Sequence, residues 1–246
     1  MTALAQDRLA RNFLDGHPRK QVRGGGTLAT AKVLYLGAVT ILVDGVEYPL
    51  VAGSAMAALC QLVAGADANG GVYVASRQPG VRFKMTSGAA EAITVVPNGA
   101  TTDIDCTYNN GTSTAATVVQ LIRRHGEADR LLRTKFQGTG ASSPAAQAFT
   151  AVPHIVLGGV VTVRMGDAAS VAAQTIPLGY QSRDQGVYGM LGDGSAPPTL
   201  INGECYLLDD QTVIKTADPL AIKAQLLQIK SGAYGTLYFV SLAEAN

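Results

Sequence analysis

From Thr27 onward the apolar residues come in short runs bounded by Gly, Pro, Asn and Asp, the pattern of strands joined by turns. KVLYLGAVTILVDGVEYPLV is broken at Gly37, Asp44-Gly45 and Pro49, and Asp-Gly between two apolar runs predicts a hairpin. SAMAALCQLV is too short for its period to separate helix from strand. After Asn69-Gly70-Gly71 the run VYVAS is extended, and Val81-Arg82-Phe83 continues in the same manner. These runs predict a small barrel or sandwich.

Residues 84–153 read differently. ITVVP and TDIDCTY predict two strands joined at Asn98-Gly99, and Asn109-Asn110-Gly111 ends the second. In TAATVVQLIRRH, residues Ala115, Val118, Val119 and Ile122 share one helical face. Ser113 is the expected N-cap, Arg123, Arg124 and His125 the cations of the last turn, and Gly126 the C′ residue. A strand over 131–136 follows, then a loop of small residues over 138–143. The order β-β-α-β predicts an α+β module with its own core, inserted into a mainly β chain.

Beyond Pro153 the β pattern returns in HIVLGGVVTVRM, VAAQTIPLGY and the closing TLYFVSL. GMLGDGSAPPT is rich enough in Gly and Pro to predict irregular structure, and DPLAIKAQLLQIKSG fits either strands or a helical turn. GECYLLDDQTV, residues 203–213, predicts a strand, an acidic reversal and a second strand. Asp209 is the type of residue that bonds a backbone amide two positions on, and Thr212, Val213 and Ile214 resume a pleated surface. The expected organisation is an arm over 1–26, a discontinuous β domain over 27–83 and 154–246, and the insertion over 84–153.

Composition narrows the classes of function. Charged residues are only 15% of the 246, Gly numbers 28 and Trp is absent, so much of the surface must be small and uncharged, which favours an assembled protein. A formal charge of +1 gives no electrostatic footprint for nucleic acid. Cys60, Cys106 and Cys205 lie far apart with no CxxC pair and read as buried, reduced hydrophobes. The first residues, interrupted by Gln6, Asp7, Arg8 and Arg11, lack the apolar core of an export signal, and no run is long enough to span a bilayer as a helix. A soluble protein without membrane association is expected. The arm ends on Gly24-Gly25-Gly26, and its Leu4, Leu9, Phe13 and Leu14 fit either docking on a neighbour or a frayed terminus.

The chemistry-bearing residues form no constellation. His17 lies in the arm, His125 at a helix end and His154 at a strand start, and no GxSxG elbow surrounds a serine. Asp103 and Asp105 share a strand face, but nothing supplies the six to eight oxygens, roughly, that Ca²⁺ takes. Asp209 and Asp210 point apart if extended, which disfavours a shared proton. Gly24-Gly25-Gly26, GTGASS and GMLGDGSA lack the context of phosphate loops. No cofactor, metal or catalytic residue is expected.

ALAQDR at 3–8, YLGAVTILVDG at 35–45, GECYLLDDQTV and the TLYFVSL ending together resemble, in order and position, the capsid decoration (cement) proteins of Mu-like tailed bacteriophages. Residues 93–95, 100–104, 113–116 and 138–140 are similar to a second unit found inserted in phage virion proteins, a departure from usual decoration proteins that lengthens the chain. The resemblance implies a non-enzymatic protein, made in the bacterial cytoplasm, that sits on the capsid exterior of the virion. Its partners would be the major capsid protein, whose subunits it bridges, and itself, as a homotrimer at local threefold positions. The arm would make the contact, with Arg8 and Arg11 on capsid carboxylates and Leu4, Leu9 and Phe13 packing. Two alternatives are a tail or neck component and a glycan-directed hydrolase using Asp103 with Asp105.

Overall fold

A computed structural model describes residues 27–29, 32–35, 37–50, 53–161, 181–182, 187–215, 220–233 and 235–242. Strand makes up 51% and helix 11%, which sets the class as mainly β, in four sheets. The chain divides into two compact units, residues 1–53 with 156–246 and residues 54–155. The expected arm, His17, the Gly24-Gly25-Gly26 triplet and most of VVTVRM and VAAQTIPLGY lie outside the described residues.

The first unit begins with β1 (Thr27–Leu28), β2 (Val39–Val43) and β3 (Val46–Pro49). Asp44 and Gly45 join β2 to β3 with φ of 50° and 83°, the two left-handed residues that a tight hairpin turn needs. β1 lies parallel to β3. Leu34, Ala38, Val39, Ile41 and Leu50 are fully buried around this hairpin.

The second unit opens with α1 (Gly53–Ala57) and β4 (Gln61–Val63), so SAMAALCQLV is helix and strand in succession. Then come β5 (Val72–Ser76), β6 (Val81–Gly88), β7 (Ala92–Asn98) and β8 (Thr101–Asn109). Next are α2 (Ala115–Arg124), α3 (Gly126–Leu131), β9 (Leu132–Phe136) and β10 (Gln147–Ala151). One sheet has the order β10-β6-β8-β7 and the other β4-β5-β9. Strict alternation sends Val81, Phe83 and Met85 of β6 and Ile104, Cys106 and Tyr108 of β8 into the core. The helical face Ala115, Val118, Val119 and Ile122 is buried in that same core, as its spacing predicts.

The insertion therefore begins near residue 54, not at 84. A boundary at 83/84 would cut through β6, which pairs in parallel with β8 over its whole length from Val81↔Thr102 to Gly88↔Asn109. β5, read as part of the outer domain, is antiparallel to β9. Long-range pairing of this kind leaves no mark in local hydrophobic periodicity. The N-cap of α2 is Thr114 and not Ser113: Thr114 accepts from the Thr117 N–H while Thr117 Oγ1 accepts from the Thr114 N–H at 2.9 Å. Ser113 instead accepts from Asn109 N–H at 2.8 Å and donates to Glu91 at 2.6 Å. Gly126 starts α3 rather than ending α2, and His125 caps both, its Nδ1 accepting from the Ala128 N–H at 3.3 Å.

Returning to the first unit, β11 (Ile155–Val161) and β12 (Gln181–Ser182) complete a sheet of order β1-β3-β2-β11-β12. β13 (Val187–Gly192), β14 (Glu204–Leu207), β15 (Thr212–Ile214), β16 (Lys223–Gly232) and β17 (Gly235–Ser241) then close a barrel of order β13-β15-β14-β16-β17. The expected irregular stretch GMLGDGSAPPT is strand in its first four residues, which end β13, and irregular from Asp193 on. DPLAIKAQLLQIKSG contains a strand, β16, kinked by a register shift between Leu226 and Gln228. Met190, Cys205, Leu207, Val213, Leu226 and Val240 are buried, so every barrel strand gives at least one inward side chain.

Candidate functional site

The GECYLLDDQTV hairpin is β14, a reversal and β15, with Tyr206↔Ile214 and Leu207↔Val213 in register. Asp209 Oδ1 accepts from the Gln211 N–H at 3.0 Å, the amide two positions on. Leu208 N–H donates to the Thr212 carbonyl at 2.8 Å. Asp209 and Asp210 are 2% and 1% exposed, so this acidic turn is an interior feature. The Asp210 carbonyl accepts from the Val39 N–H at 3.1 Å, which ties the turn to the first residue of β2. Two segments more than a hundred residues apart in sequence, YLGAVTILVDG and GECYLLDDQTV, thus meet by a main-chain bond.

A network of charged side chains lies on the outer face of the β10-β6-β8-β7 sheet. The parallel register sets Arg82 beside Asp103 and Lys84 beside Asp105. Arg82 donates through Nε to Asp103 Oδ1 at 2.7 Å and through Nη2 to Oδ2, and Asn98 Nδ2 adds a third bond at 2.9 Å. Lys84 Nζ and Thr86 Oγ1 hold Asp105 at 2.9 and 2.8 Å. Phe149 of β10 covers both cations, 5.3 Å from the Arg82 guanidinium carbon and 5.4 Å from Lys84 Nζ. Hydrogen bonds from Arg82, then Asn98, hold the Asp103 carboxyl below the usual carboxylate range. A general acid needs the opposite shift. The two carboxylates do share a face, as the strand period predicts, but each is committed to a cation one strand away.

Buried ionisable groups occur elsewhere. Arg133 on β9 is 2% exposed, and burial, with Arg77 nearby, pushes its guanidinium down to about 9. In the first sheet Glu47 is fully buried and accepts from Thr40 Oγ1. Gly158 passes over this pair so closely that a Cβ there would stand 2.8 Å from Glu47 Oε1, so a side chain at 158 is excluded. Cys106 and Cys205 are buried as expected, and desolvation pushes each thiol up to about 12.

GTGASS has a structural use. The Gly140 and Ser142 carbonyls accept from the Ala116 and Ala115 N–H groups at 3.0 and 2.8 Å, so the amides that open α2 are occupied by this loop. Among the described residues no three His, Cys, Asp or Glu side chains cluster as a metal site would require. The arm residues Leu4, Arg8, Leu9, Arg11 and Phe13 lie outside the described residues, as does His17. Sequence reasoning missed Phe149 and β10. The only local signal is the alternation in QAFTAV before Pro153, in a stretch to which the sequence reading gave no element.

No family model matches the chain, and neither a curated protein nor a solved structure is significantly similar to it. No described helix is long and apolar enough to cross a membrane.

Proposed function

We propose that this chain is a non-enzymatic structural protein of a phage virion that binds the outside of the assembled head and strengthens it by bridging major capsid subunits. The observation that carries the reading is the Val39 N–H to Asp210 carbonyl bond, because it joins two segments on which the likeness to decoration proteins rests. Segments conserving their place in such a family would be expected to form one substructure, and here the β2 hairpin and the barrel hairpin share a bond. The surface chemistry agrees: Asp103 and Asp105, the carboxylates a glycan hydrolase would need, are held by Arg82 and Lys84. Many weak, repeated contacts suffice for such a protein, since each bound copy raises the effective concentration for its next contact.

In this reading the arm reaches a capsid neighbour through Arg8 and Arg11, with Leu4, Leu9 and Phe13 packing, and the chain works as a homotrimer at local threefold positions. Removing residues 1–23 and measuring occupancy on purified heads tests the arm. Lost binding is the expected result, and undiminished occupancy overturns it. Negative-stain imaging of labelled virions tests the location, with label on the tail or neck as the outcome that overturns the head assignment.

A further inference from the structure

We propose that Asn98 is a site of spontaneous modification, where the Gly99 main-chain nitrogen displaces the side-chain amide and turns a neutral residue of the β7–β8 hairpin into a carboxylate. The chemistry is open to any Asn-Gly pair: the nitrogen after the asparagine attacks its side-chain carbonyl carbon, and glycine has no Cβ to obstruct the approach. The sequence has four such pairs, Asn69-Gly70, Asn98-Gly99, Asn110-Gly111 and Asn202-Gly203, all among the described residues. What separates them is the state of the attacking N–H.

Three of the four are engaged. Gly70 N–H donates to the Asp67 carbonyl at 3.1 Å, Gly203 N–H to the Leu200 carbonyl at 2.9 Å, and Gly111 N–H to Asn109 Oδ1 at 3.0 Å. Gly70 is also buried, where a Cβ would collide with the Ser143 carbonyl oxygen, and a Cβ on Gly203 would stand 2.8 Å from the Leu200 carbonyl oxygen. A cyclic intermediate cannot form against such neighbours until the loop has opened.

Gly99 is different on both counts. It is exposed, a Cβ on it would meet nothing within 4 Å, and its N–H has no partner. The turn is the cause: Asn98 pairs with Thr101, and a two-residue reversal bonds its first carbonyl to its fourth N–H, which leaves the second N–H outside. In the reaction the Gly99 nitrogen gives its proton to solvent and bonds to Asn98 Cγ. The Cγ–Nδ2 bond breaks, and Nδ2 takes a proton from water and leaves as ammonia. Water then opens the cyclic imide. Cleavage of the new N–Cγ bond gives aspartate, cleavage of the original peptide bond gives isoaspartate, and nothing is oxidised or reduced. Asn98 Nδ2 now donates to Asp103 Oδ2 at 2.9 Å, on a face where Arg82 and Lys84 are matched with Asp103 and Asp105. Either product removes that donor and leaves an unmatched negative charge beside Asp103. The inference rests on the hairpin and not on the capsid reading.

The test is a timed incubation of the full chain in mildly alkaline buffer, with the amide-to-acid mass gain assigned to each asparagine by peptide fragmentation and isoaspartate counted by enzymatic methyl transfer. In the folded chain Asn98 should convert roughly fivefold or more faster than Asn69, Asn110 or Asn202, each of which must first break a hydrogen bond. In denaturant the four rates should converge, because only the fold distinguishes the pairs. A folded rate at Asn98 no greater than at the other three overturns the inference. So does a lead that persists undiminished in denaturant, since it would then belong to the local sequence and not to the turn.

Discussion

In the C-terminal barrel β17 pairs with β16 on one side and β13 on the other, and β13 closes onto β15, so every strand has two neighbours. In residues 54–155 two sheets of four and three strands remain open, and their margins are handled one at a time by an arginine, a passing loop and a bulge. Both cores mix small and large buried residues, Cys205, Ala224 and Val213 with Met190, Leu207 and Leu226 in the barrel, and Cys106 and Ala115 with Phe83, Met85 and Tyr108 under a helix in the insertion. Closure removes the edge problem by topology. An open sheet must solve it in side chains, strand by strand, and on β7 Pro97 is such a side chain.

The comparison can be tested first where it predicts the largest effect. Phe83 is fully buried in the insertion, and Phe83→Ala should destabilise it by about 3–5 kcal/mol. Hydrogen exchange resolved by peptide should show protection lost from β6 and β8 before β16 and β17. Equal loss in the barrel would mean that the two sets of strands open as one. Gly192→Ala probes the barrel side: its Cβ would stand 2.3 Å from the Tyr238 ring, so the ring must swing, at about 1–3 kcal/mol by denaturant titration. An unchanged midpoint would show a barrel looser than its closure implies.

Smaller effects should follow at the helix and on the sheet face. Thr114→Ala removes half of a capping box and should lower the stability of the insertion by about 1 kcal/mol, while Ser113→Ala leaves the cap in place. The smallest effect is at Asp103. Its folded pKa lies below the unfolded one, so the contribution of its bond to Arg82 is fully present above about pH 4 and fades as pH falls through the lower folded value. Asp103→Asn should therefore melt below the parent protein at neutral pH and converge with it in acid. A constant difference across pH would mean that Asp103 matters by shape alone.

Much of this was legible in local pattern. The Asp44-Gly45 and Asn98-Gly99 turns, the buried face of α2 and the Asp209 turn all follow from residues within a few positions of one another. What escaped depended on partners far away. β6 belongs to the insertion because β8 lies beside it, and nothing in VRFKMTSG says so. Thr114 outcompetes Ser113 as a cap because Asn109 and Glu91 already engage the Ser113 hydroxyl. The Asp103 and Asp105 face was predicted, but Arg82 and Lys84 alternate with core residues on another strand and met those carboxylates only once the parallel register was known.

The three cysteines have a practical meaning. Cys106 stands in the core of the insertion and Cys205 in the barrel, each with its thiol pushed up to about 12, while Cys60 is only half-buried. In the folded chain the two deep sulfurs are chemically silent, and each regains an ordinary thiol's reactivity only when its own surroundings open. The sequence thus carries one reporter in each body. A timed pulse of alkylating reagent, read by mass at the two positions, would record how often each body opens, without any label being introduced.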